Sequence, residues 1–146
     1  MIDLILHDSE THAKAFTWSG PLSLSAIEQW ERRESLIAPP DLKKLWTLKG
    51  GGELFDTETI LLPFATDDYD LVMPVSTAFW TRGLDTAYCV FHLGIVDSVF
   101  RKSDGGLFSL NSSDFSQMLR FRDLDEWYLR TLRSVYAEQY GLGPGD

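Results

Sequence analysis

Few side chains in this 146-residue sequence combine the types and spacing that catalysis needs. The histidines are His7, His12 and His92, and the single cysteine is Cys89. Cys89 and His92 lie three apart. On a regular strand that sends them to opposite faces, where they cannot pair as nucleophile and base. His7 and His12 show no metal-ligand spacing with each other or with a nearby cysteine. Each histidine therefore reads as a surface or hydrogen-bonded structural residue. Asp67-Asp68-Tyr69-Asp70 opens like a calcium loop, but the Gly and terminal Glu at the required offsets are missing. Asp67 and Asp68 could still be the paired carboxylates of an acid–base hydrolase, although solvated turn aspartates are the commoner case. Gly50-Gly51-Gly52 is a poor phosphate cradle, since it follows a helix whose C-terminal end repels anions. No residue set calls for a cofactor or a metal.

Charge is more informative. The formal net charge is −9, and no Lys- or Arg-rich stripe offsets it. That disfavours nucleic acid, whose binding rests on neutralising phosphates. Between Lys49 and Arg82 there is no basic residue, while Glu53, Asp56, Glu58, Asp67, Asp68 and Asp70 all fall in the gap. Phe55, Phe64, Tyr69, Phe79 and Trp80 are interleaved with them. A one-signed surface steers an oppositely charged partner, and aromatics inside a charged rim hold it. The expected partner-binding residues are thus Glu53, Asp56, Glu58, Asp67, Asp68, Tyr69, Asp70 and Trp80. The competing reading is a solvated acidic face whose aromatics fill the core of a sheet.

The elements that would position these residues follow from periodicity. Ile2–Leu6 reads as a short strand and Ser9–Trp18 as an opening helix or turn. Ser25 and Glu28 form a capping box for a helix from about Ser25 to Leu36, with Ile27 and Trp30 on its apolar side. Pro39-Pro40 starts a second helix whose stripe is Leu42, Leu45 and Trp46, closed at Gly50. Leu54-Phe55, Thr59–Phe64 and Leu71–Val75 are short strand-like runs, and Ala87–Leu93 and Ile95–Lys102 are the clearest strands. Asp104-Gly105 turns the chain into Leu107–Leu110 as a hairpin. Asn111–Asp114 offers caps for a helix carrying Phe115, Met118 and Leu119. A last helix runs from about Asp123 to Tyr140, burying Leu124, Trp127, Tyr128, Leu132, Val135 and Tyr136, and stops at Gly141. The result is one α+β domain over residues 1–141, a mostly antiparallel meander between N- and C-terminal helices, with a tail at 142–146.

The lone cysteine excludes an internal disulfide framework and points to a reducing, cytoplasmic setting. The start Met1–Asp8 lacks the basic and long apolar regions of a signal peptide. Apolar runs reach only about five residues, against about 20 for a membrane span.

The order of motifs resembles the SUKH superfamily, the group of bacterial immunity proteins related to fungal cell-wall assembly regulators. The residues that carry it are Ile27 and Trp30, then Pro40, Asp41, Leu42 and Leu45, then Gly50, Gly51 and Leu54, and finally Ser112, Phe115 and Leu119. It spans about Ser25 to Phe121. Lys49 stands where members often have Asn or Asp before the glycine, and Ser35–Pro40 replaces the usual Gly-x-x-Leu-Pro lead-in. The resemblance implies an α+β domain with about six strands flanked by helices. It also implies a non-enzymatic protein that neutralises a toxin by binding it, or in some relatives an intracellular scaffold. No catalytic residue carries over.

Overall fold

The computed structural model describes residues 1–65 and 70–143. Its centre is a seven-stranded antiparallel meander in which each strand pairs with the next. The strands are β1 (Phe16–Trp18), β2 (Gly52–Leu54), β3 (Glu58–Ile60), β4 (Tyr88–Leu93), β5 (Ser98–Arg101), β6 (Leu107–Leu110) and β7 (Met118–Phe121). Helices precede, interrupt and follow it: α1 (Asp3–Thr11), α2 (Leu24–Glu34), α3 (Pro40–Leu48), α4 (Val72–Thr81), α5 (Leu124–Tyr128) and α6 (Ser134–Tyr140). The fold is α+β, as the pattern of periods implies. Ile27, Trp30, Leu42, Leu45, Trp46, Phe91, Phe100 and Trp127 all lie within its buried core.

The structure departs from sequence expectation at several elements, at α1 through a long-range partner and elsewhere through local bonding. In place of a strand at Ile2–Leu6, Ile2 stands at the N-cap and Asp3–Leu6 begin α1. The Asp125 carboxylate accepts from the backbone N–H groups of Leu4 and Ile5 at 3.1–3.4 Å, which caps α1 from 120 residues away. Its buried stripe is Ile5, Asp8 and Ser9. The second helix is capped by Ser23, whose hydroxyl accepts from Ala26 N–H, and not by Ser25. Leu71–Val75 is no strand either. Val72, Ser76 and Phe79 are buried at helical spacing along α4, and Pro74 falls in the first turn, where its missing N–H costs little.

That helix replaces a strand. Leu61 N–H donates to Phe91 C=O, beyond which β4 outruns β3. There Ser76 Oγ accepts from Val90 N–H at 2.8 Å and Trp80 Nε1 donates to Tyr88 C=O at 2.7 Å. Two side chains one helical turn apart thus satisfy the exposed ladder groups of β4.

Residues 111–117 form a loop, not a helix start. Ser112 Oγ accepts from Gln117 N–H at 2.9 Å, Asp114 accepts from Ser116, and Phe115 takes φ +63° to turn the chain back as β7. Side-chain bonding to nearby backbone competes with helix here. The Asp104-Gly105 hairpin forms as expected, with Gly105 at φ +72° and Asp104 accepting from Gly106 N–H.

The final helix is interrupted by a π turn at Leu129–Arg133. The extra residue rotates the turns beyond it, so α6 buries no residue fully and Val135 is 49% exposed despite its place in the expected stripe. The turn aims Arg133 at Asp8: Nε donates to Oδ2 at 2.7 Å, and Tyr128 OH donates to the same oxygen at 2.6 Å. All three side chains are buried. Gly141 closes α6 at φ +68°.

Candidate functional site: an acidic face on the first three strands

The register of β1–β3 sets Thr17 opposite Glu53, Glu53 opposite Thr59 and Thr59 opposite Leu93, so these side chains form one row across the sheet. Thr17 and Glu53 are exposed and Thr59 and Leu93 half-buried, so the row faces solvent. Beside it lies a cavity of about 370 Å³ lined by Trp18, Ser19, Gly51, Glu53, Leu62 and Asp70. Glycine is required here. A Cβ on Gly52 would sit 2.2 Å from the Thr17 carbonyl, closing the approach of β1 to β2.

Glu53 and Asp70 are exposed, and among the described residues neither carboxylate has an ion pair. Asp56 stands at the tip of the β2–β3 hairpin, where Phe55 and Asp56 adopt φ +55° and +65°. The tip is held from α6. Tyr140 OH donates to Asp56 Oδ2 at 2.9 Å, while Phe55 packs against the rings of Tyr136 and Tyr140 at 4.9 and 5.1 Å. Of these carboxylates Glu53 and Asp70 line the cavity, where Leu62 N–H donates to Asp70 C=O just past β3, while Asp56 lies at the turn before β3 and does not line it. Asp67, Asp68 and Tyr69 lie outside the described residues.

Two expected contact residues have other roles. Glu58 is completely buried and cannot meet a partner. Trp80 is half-buried, spends its indole N–H on Tyr88 and carries Lys102 Nζ 4.4 Å from its ring centre. Phe55 and Phe79 are core residues. Trp18 carries no signal in the sequence, yet it belongs to the site. It is half-buried, stacks on Phe16 at 5.8 Å and donates from Nε1 to Ser9 Oγ at 2.7 Å. Only the β1–β2 register places it at the cavity, and Phe16-Thr17-Trp18 is too short to declare itself a strand.

The burial of Glu58 explains His92. His92 Nε2 lies 2.8 Å from Glu58 Oε1 and Nδ1 2.9 Å from Ser98 Oγ. Trp127 Nε1 also donates to Ser98 Oγ, and Glu58 Oε2 accepts from Tyr136 OH and Ile95 N–H. Hydrogen-bond capacity fits one tautomer: Nε2–H donates to the carboxylate and Nδ1 accepts from the serine hydroxyl. Burial pushes the Glu58 carboxyl up, but the bonds from His92 and Tyr136 outweigh it and hold the group below its ordinary 4.5.

Ser98, His92 and Glu58 have the composition of a hydrolytic triad, yet all three are fully buried. The Ser98 oxygen is engaged by Trp127, and none of the three lines the cavity. No substrate atom can reach the hydroxyl, so the arrangement is a structural network.

Cys89 needs a correction of geometry. The register shift between Val90 and His92 adds a residue, so Cys89 faces Phe100 and His92 faces Ser98, positions two apart on β5. The two therefore share a face despite their three-residue spacing. No bond joins them, and burial pushes the Cys89 thiol up to about 11, leaving it unreactive.

Among the described residues, no group of His, Cys, Asp and Glu converges as a metal site, and no helix is long and apolar enough to cross a membrane. Compared with known proteins, the chain matches no family model, and no curated protein matches it significantly.

Proposed function

We propose that this protein is a SUKH-like immunity protein of the cytoplasm that neutralises a basic toxin domain by covering its active surface, without catalysis of its own. The observation that carries the reading is the acidic side of the sheet, where Glu53 and Asp70 are exposed beside a cavity and have no ion pair among the described residues. Exposed carboxylates of this kind can stand in for the phosphates that a basic cleft recognises, and they speed encounter. The order of helix, proline-initiated helix, glycine stop and antiparallel meander is what the family resemblance implies, and it supports the same reading. Ser112, Phe115 and Leu119 support it less, since they form a loop and strand in place of a helix start.

A scaffold that holds another intracellular protein would use the same surface, and differs in that its partner is harmless alone. Co-expression with the product of the adjacent reading frame separates the two. Growth arrest by the neighbour, reversed by this protein and not by its Glu53→Gln/Asp56→Asn/Asp70→Asn variant, is the expected result. A harmless neighbour, or arrest that persists with the wild-type protein, removes the immunity reading for that pair.

A further inference from the structure

The opposite edge of the sheet has a different character. β7 is the outermost strand, and its register sets Ser109 opposite Leu119 and Leu107 opposite Phe121. Asn111 N–H donates to Gln117 C=O at 2.8 Å. In an antiparallel ladder the bonded pairs recur at every second residue, so Leu119 and Phe121 bond to β6 while Met118 and Arg120 turn their N–H and C=O groups outward. Among the described residues nothing takes up those groups. An open strand edge of this kind is a template for another strand.

Three arginines surround that edge in a protein of net charge −9. Arg120 is exposed and lies over the Phe108 ring at 5.6 Å. Arg130, on the π turn, lies over the Phe121 ring at 5.7 Å. Since Phe108 and Phe121 belong to alternate rows of the sheet, these cations flank β7 from both of its faces. Arg122 follows directly, with a side chain 77% exposed and only long contacts to Asp123 and Glu126 at 3.6 and 3.9 Å. Between them Leu119 is 38% exposed and offers an apolar contact on the edge itself.

We propose that β7 accepts an extended, carboxylate-rich segment of a partner protein as an eighth strand. Backbone groups of Met118 and Arg120 supply the ladder, and Arg120, Arg122 and Arg130 select acidic side chains above and below it. A second copy is the poorer occupant. Pairing β7 with itself sets arginines against arginines, and β1, the other free edge, contains no acidic residue. The arginines therefore discourage self-pairing while favouring an acidic strand. This surface is separate from the acidic face and does not depend on the immunity reading.

The test titrates an end-capped peptide of about ten residues, alternating Glu and Thr, into the isotope-labelled full chain, with a Lys–Thr peptide as counterpart. Saturable shifts at Met118, Arg120 and Arg122, with slowed amide exchange at Met118 and Arg120, are expected for the acidic peptide alone. The Arg120→Gln/Arg122→Gln/Arg130→Gln variant should weaken binding by about tenfold or more. Arg120→Pro removes an outward N–H that the β6 ladder does not use, and should abolish binding with the circular dichroism spectrum unchanged. If that variant unfolds, exchange protection in the wild-type complex still reports strand addition. Absence of saturable binding at low ionic strength, equal binding of the Lys–Thr peptide, full binding by the triple variant, or a concentration-dependent dimer through β7 without peptide would each overturn the proposal.

Discussion

At the scale of residues, Glu58 and Glu53 show how one acidic stretch divides into two functions. They lie five positions apart on paired strands, one sealed in the core and one in water. Glu58 is a stability residue. Its replacement by Gln should cost about 1.5–3 kcal/mol in denaturant unfolding, the range for hydrogen bonds to a charged group. The pH dependence has a defined sign. A carboxyl held below its unfolded value stabilises the fold above that value, 4.5 here, and the contribution is lost as pH falls through the folded pKa. Stability of the wild type should therefore fall through and below the carboxylate range, and Glu58→Gln should flatten that part of the curve. A parallel pH profile in the variant would contradict this. Glu53→Gln, by contrast, should leave stability within about 0.5 kcal/mol of wild type, as for surface changes generally.

The elements explain what could be read in the sequence and what could not. The Pro40-initiated helix, its Gly50 stop at φ +83° and the Asp104-Gly105 hairpin carry local chemistry, and they are where the spacing puts them. α1 does not. Its alternating Ile2, Leu4 and Leu6 suit a strand, and its cap, Asp125, comes from the far end of the chain. Removing that cap with Asp125→Ala should cost about 1 kcal/mol and speed amide exchange at Leu4 and Ile5 above other α1 positions. Uniform exchange along α1 would show that its packing, and not the cap, holds the first turn. Glu58 reads as part of the acidic surface because a three-residue strand gives no period that reveals its inward direction. Phe115 shows the same limit from the other side: serines and an aspartate that cap helices also close turns, and here they close a turn. Trp18 is placed by the β1–β2 pairing alone, a contact with no local signature.

The two sides of the meander differ in charge: Glu53 on β2 and Asp70 beside it are exposed and have no ion pair among the described residues, and arginines lie around β7. Glu58 and His92 bond across β3 and β4 in the core, while Glu53 and Asp70 are exposed. The central claim is that the acidic side steers and covers a basic protein. The most direct test is the association rate with the protein against which rescue is found, measured from about 20 to about 200 mM salt, a span over which screening shortens several-fold. The wild-type rate should fall by about tenfold or more across it, and Glu53→Gln/Asp56→Asn/Asp70→Asn should be slower at low salt and nearly flat. Equal rates and equal salt slopes for the two proteins would place the interface elsewhere and contradict the account.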